Sequence, residues 1–165
     1  HGADLHGEVT GTYVPDANRR PFDRRAFGRA VLGSTFELSE KLHGTLEAYW
    51  NGSGSLHPAD YESELMSPRF ETGETYNVGK YYGGAVVDYT PYPLVHLAAA
   101  AIVNVVDGSA LIAPSVHYNA SNNTTLIAGA FVPIGASPNF NGGPLARSEF
   151  ALYPTLFHCD LKSYF

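Results

Sequence analysis

Cysteine is almost absent: Cys159 is the only one among 165 residues. A single thiol excludes an internal disulfide framework and any zinc site built on cysteines. Charge is scarce as well. Asp, Glu, Lys and Arg make up 16% of the chain, against about a quarter in ordinary soluble domains. With 44% apolar residues, that composition does not describe a disordered chain. Ten basic residues face sixteen acidic ones, and no basic stripe marks a nucleic-acid surface. Long apolar runs are missing too. The longest, 92–106, is interrupted by His96 and Asn104, short of the roughly 20 residues a membrane helix needs. The polar, alternating stretch after His1 carries no signal-peptide pattern. What remains is rich in Gly (17), Tyr (11) and Phe (9). That is the vocabulary of strands and turns rather than of helices. The length suits one domain, 1–165.

The dominant pattern has period two, the repeat of a strand whose successive side chains point to opposite faces. In 3–14, Leu5, Val9 and Tyr13 alternate with Asp4, His6 and Glu8. The alternation returns in 27–38, 42–51, 76–89, 94–106, 110–119 and 149–165, while 124–135 is apolar on both faces. Eight antiparallel strands are expected, with one short helix at 61–66. Thr90-Pro91-Tyr92-Pro93 reads as a turn, because two prolines fit poorly in a central strand. Asp107-Gly108-Ser109 reads as a tight hairpin.

The connections differ in length in an ordered way. The long segments, 15–26, 52–75 and 136–148, are the first, third and seventh connections; 39–41, 90–93, 107–109 and 120–123 are short. In an up-and-down meander the odd connections emerge at one end. Long loops at one end and tight turns at the other are the asymmetry of a transmembrane β-barrel. The expected fold is therefore all-β: an antiparallel up-and-down transmembrane barrel with about eight strands in this chain. Aromatics near the strand ends (Tyr13, Trp50, Tyr81, Tyr89, Tyr92, Tyr118, Phe165) fit an interfacial girdle.

The final segment ends Leu161-Lys162-Ser163-Tyr164-Phe165. A last strand that alternates up to a C-terminal Phe resembles the outer-membrane β-barrel proteins of Gram-negative bacteria. The positions that carry the likeness are Phe157, Cys159, Leu161 and Phe165; Ser163 departs from the pattern, where a larger apolar residue is commoner. The resemblance implies that Phe157, Leu161 and Phe165 form a signal read by the barrel-assembly machinery. Leu46-Glu47-Ala48-Tyr49-Trp50-Asn51-Gly52, Asp107-Gly108-Ser109 and Ser148-Glu149-Phe150 are similar to the C-terminal part of larger, porin-like barrels. The implied setting is the bacterial outer membrane. The implied partners are its lipid and lipopolysaccharide, and other barrel subunits or a missing barrel segment.

On a barrel, the polar faces of the strands would line the lumen: Glu8, Arg29, Glu37, His43, Glu47, Lys80, Asp88, His96, His117, His158, Asp160 and Lys162, with Asp4, His6 and Asn104 beside them. In a barrel closed at eight strands, side chains fill the interior and these groups form a plug of ion pairs. In a wider wall they line a water-filled path. Ala98, Ala100 and either Ile127 or Ala128 also face inward, as small fillers. Seven histidines offer no HxH or HExxH spacing, so no metal and no cofactor is expected. Arg19, Arg20, Arg24 and Arg25 could meet lipopolysaccharide phosphates or equally pair with Asp16 and Asp23 in a solvated loop. The acidic loop 52–75 could attract cations or fold inward as a constriction, and reads first as solvated. The expected function is passive, a porin-like channel or a structural membrane protein, and not an enzyme. Two alternatives stand beside it. One is a soluble lipocalin-like barrel that binds a small apolar ligand. The other is an outer-membrane lipid hydrolase using Ser115 and His117, two apart on one strand face.

Overall fold

The computed structural model describes residues 2–14, 26–139, 141 and 146–164. Loop arginines 19, 20, 24 and 25, and the terminal Phe165, lie outside these residues. Eight antiparallel strands follow one another as neighbours in a single sheet: β1 (Ala3–Tyr13), β2 (Ala26–Ser39), β3 (Leu42–Asn51), β4 (Tyr81–Tyr92), β5 (Val95–Asn104), β6 (Ala110–Ser121), β7 (Thr124–Ile134) and β8 (Leu156–Ser163). The sheet is not closed: among the described residues, β1 and β8 pair on one side only. No helix of the described chain is long and apolar enough to cross a membrane.

The strands form where period two is strongest, and their register carries that pattern across the sheet. Glu8 faces Val31, Val31 faces Tyr49, Tyr49 faces Tyr82 and Tyr82 faces Asn104. Such cross-strand partners lie on one face. Followed through every pair, this register puts all the charged residues of the strands on that face. They are Asp4, Glu8, Arg29, Glu37, Glu47, Asp88, Asp160 and Lys162. The opposite face holds Leu5, Val9, Leu32, Leu46, Val87, Val116, Phe157 and Leu161, and these apolar side chains are exposed. Leu5, Val9 and Phe157 are each 80% exposed or more. Ile127 joins the polar face opposite His117, while Ala128 joins the apolar one opposite Val116.

The two ends of the sheet differ. At one end, two-residue turns link β2 to β3, β4 to β5 and β6 to β7. A register shift precedes each turn, at Glu37/Ser39, Tyr89/Tyr92 and Asn119/Ser121. Bulges of this kind raise the local twist and let a tight connection reverse the chain. The expected turn at 90–93 is therefore shorter: β4 runs through Pro91 on the bulge, where a missing N–H breaks no regular ladder bond. At the other end, residues 52–80 and 135–155 form the long connections. β4 begins at Tyr81 rather than at 76, and β8 at Leu156 rather than at 149. In both cases the preceding residues pack into the loop end instead. Loop 52–80 contains α1 (Tyr61–Leu65) and α2 (Pro68–Glu71), the second started by a proline at its first position. Gly108 takes φ +71°, which favours glycine, in the short β5–β6 turn.

Candidate functional site: the polar face and its loop-end plug

Parts of loop 52–80 and of 146–155 fold onto the loop end of the sheet's polar face. Glu149 joins them. Its Oε2 accepts from Tyr82 Oη at 2.6 Å and from Asn104 Nδ2 at 2.7 Å, and its Oε1 accepts from the Val78 amide at 3.2 Å. Asn104 also donates to Tyr61 Oη at 2.9 Å and accepts from the Val106 amide at 2.9 Å. Asp107 accepts from the amides of Ser109 (2.7 Å) and Glu149 (2.8 Å). Asn51, fully buried, donates to the carbonyls of Asn77 (2.9 Å) and Gly79 (3.2 Å) and accepts from Ser53. Such a network is stable only when each buried polar group finds a partner. Burial raises the Glu149 carboxyl above the ordinary glutamate range, against the bonds it accepts, and burial likewise raises the Tyr61 phenol. Tyr61, Val78 and Ala146 pack together beside this network, flanked by Leu65 and Phe70.

The acidic loop is packed in part: Tyr61, Ser67, Arg69 and Thr75 are buried, while Asp60 and Glu71 stay exposed. Arg69 is 5% exposed and donates to Glu64 at 3.0 Å. Arg29 lies 4.9 Å over the Phe27 ring and donates to the Glu74 carbonyl, tying β2 to the end of the loop.

Most of the residues expected to line a lumen do share the polar face. Glu8, Arg29, Glu37, His43, Glu47, Asp88, His96, His117, His158, Asp160 and Lys162 all follow that register, and Lys80 precedes β4 in phase with Tyr82. Some meet directly. His6 lies 3.1 Å from Glu47, His96 lies 3.2 Å from Asp88, and the His96 and His117 rings stand at 5.5 Å. His158 lies against Phe131 at 5.8 Å. Among the described residues, no group of three His, Cys, Asp or Glu side chains could hold a metal ion. His117 makes its ring contact with His96. The residues of the proposed assembly signal that are described, Phe157 and Leu161, sit exposed on the apolar face with the free thiol of Cys159 between them.

The polar face is concave. One cavity of about 330 Å³ is lined by Val31 of β2, Thr45, Glu47 and Tyr49 of β3, Tyr82 and Val86 of β4, Ala100 and Ile102 of β5, Leu111 and Ala113 of β6, and Phe131 of β7. On a flat sheet β2 and β7 would stand roughly 24 Å apart, at about 4.8 Å per strand. Side chains from both can share one small cavity only if the sheet curls.

The sequence pattern did not single out Glu149, Tyr61, Tyr82 or Asn51 as members of one buried cluster. In the alternation of 76–89, Tyr82 falls in phase with Lys80 and Asp88, and that is the available signal. Nothing local told which loop residue would meet it. No protein-family model, no curated protein and no solved structure matches this chain.

Proposed function

We propose that this chain is part of the wall of a bacterial outer-membrane β-barrel, a porin-like structure through which small solutes diffuse passively. One observation carries the proposal. Every charged strand residue lies on the concave face, and the exposed apolar face bears none. A soluble barrel inverts this arrangement, with its apolar face inside; a membrane barrel turns the apolar face to lipid. Tyr13, Trp50 and Tyr81 lie on the apolar face near the loop end, and Phe36, Tyr89 and Tyr118 near the turn end. Tyr81 and Tyr89 are about 27 Å apart along β4 at roughly 3.4 Å per residue. Tilted strands of that span fit an apolar band about 25 Å tall between two aromatic girdles.

On this reading the wall includes strands beyond these eight. In hydrocarbon every backbone N–H and C=O needs a partner, so the free edges of β1 and β8 must be paired. An eight-stranded barrel has an interior just wide enough for side chains, and the residues of loop 52–80 and of 146–155 that dock on the polar face favour a wider wall. In this proposal the wall is wider, completed by further strands or further subunits. The polar face of the strands carries six carboxylates and two cations, so with neutral imidazoles its net charge is −4. Such a lining favours cations. Lipid and lipopolysaccharide are the surroundings of the apolar face, and Phe157, Leu161 and Phe165 are the positions offered to the assembly machinery.

The experiment is reconstitution of protein extracted from membranes into planar bilayers. Stepwise conductance with cation preference is expected, together with a heat-dependent mobility on SDS gels. A protein that needs no detergent and yields no conductance contradicts the proposal.

A further inference from the structure

The concave face is not polar throughout. Between the loop-end plug and the Asp88–His96–His117 row runs an apolar belt formed by Val31, Val86, Ala100, Ile102, Leu111 and Ala113. The belt follows from the register. Val86 faces Ala100, Ala100 faces Ala113, and Ile102 faces both Gly84 and Leu111. Small residues were expected to fill the interior, yet here they leave it open: Gly84, Ala100 and Ala113 border the cavity of about 330 Å³, and Phe131 closes its β7 side.

From this geometry we infer that the belt binds small molecules with an apolar, aromatic-sized body. The inference rests on the reading of the concave face as the lining of a solute path and names the solute class for it. Volume points the same way, since the cavity lies at the small end of the range of small-molecule sites, about 300–1,000 Å³. So does polarity. The Tyr82 hydroxyl is committed to Glu149, and Glu47 is paired with His6. A strongly polar solute would give up hydration there and find few groups to replace it. An apolar one gains by leaving water, at roughly 25 cal/mol per Å² of surface buried. The Tyr49 and Tyr82 rings, 5.7 Å apart and tilted by 33°, flank the belt on its plug side. Tyr82 is buried between Tyr49 and Phe150, so the ring open to a flat solute is the half-buried Tyr49, by offset or edge contact.

Toluene serves as the probe, titrated into the full chain in lipid nanodiscs with methyl-labelled Val, Ile, Leu and Ala. Methyl resonances of Val31, Val86, Ile102 and Leu111 are expected to shift and saturate. Those of Val87, Val103 and Val116 on the apolar face should drift linearly as toluene enters lipid. Ala100→Leu and Ala113→Leu, each filling the cavity, should weaken the saturable response by at least about tenfold; Ala100→Val replaces the leucine variant if that one does not fold. Linear or absent shifts at the concave methyls, or saturation unchanged in the filled variants, overturn the inference. If the concave methyls saturate but the opposite methyls make no contact with acyl chains, the membrane reading fails while the binding inference stands.

Discussion

Glu149 concentrates the electrostatics of the plug in one carboxyl. Its folded-state pKa is raised above the ordinary value of 4.5, first by burial. A group shifted upward in this way favours the docked arrangement fully at pH below its unfolded value, and that contribution is lost as pH rises through the raised one. Opening of the plug is therefore expected to cost more near pH 4 than at pH 8. Hydrogen exchange at the Val78 and Gly79 amides, corrected for intrinsic rates, reads this directly, and Glu149→Gln should flatten the dependence. Gly54 supplies a second test at the same scale. A Cβ there would stand 1.9 Å from the Gly79 carbonyl oxygen, across the bridge that pairs Ser55 with Gly79. Backbone cannot yield as a flexible side chain can. Gly54→Ala should cost about 1–3 kcal/mol in denaturant unfolding and release the loop first. Glu149 stood out in the sequence only within Ser148-Glu149-Phe150, with no sign of its burial, and Gly54 not at all. Glycine and glutamate in a loop have many ordinary explanations, and only the folded contacts distinguish these two.

Strands were the legible elements, because alternation is a local property. Leu5, Val9 and Tyr13 against Asp4, His6 and Glu8 already define two faces, and the structure keeps that division across every pair. Tight turns were legible where Gly or Asn punctuates the chain, as at Gly108. Boundaries were lost where loop packing overrode pattern. Residues 76–80 alternate like the strand that follows them, but Val78 is spent on the plug; Glu149 and Phe150 are spent there as well. Two predictions belong here. Leu46→Arg, on the apolar face, should destabilise the folded protein in lipid by about 2–4 kcal/mol, while Thr35→Arg on the polar face should cost far less. Comparative unfolding in bilayers measures both. Deleting residues 56–76 removes α1 and α2 from the polar face; single-channel conductance should rise, and an unchanged conductance would mean that the loop does not narrow the path.

Considered whole, the molecule is a curled sheet with two open edges, an apolar outside and a plugged polar inside. The number of strands in the complete wall was not legible, since period two has no term for closure. Neither was the direction of curvature, because alternation defines two faces without naming the inner one. Cys159, on the apolar face of β8, offers a test of closure. In a Leu5→Cys or Val9→Cys variant, oxidation should not produce an intramolecular disulfide, because the proposed wall, wider than eight strands, would keep β1 and β8 beyond the 4.4–6.8 Å usual between bridged Cα atoms. Efficient intramolecular bridging would mean closure at eight.

Sidedness is best measured by nitroxide labels placed one at a time along β3, β4 and β6 in a Cys159→Ser background, with the protein in lipid. Labels at Leu46, Val87 and Val116 should be relaxed strongly by oxygen, which concentrates in the hydrocarbon, and weakly by a water-soluble nickel chelate. Labels at Thr45, Asp88 and Ser115 should show the reverse, so that the preference alternates with period two. Chelate access at the first three positions, with an oxygen-rich, water-free environment at the second three, would contradict a lipid-facing apolar surface.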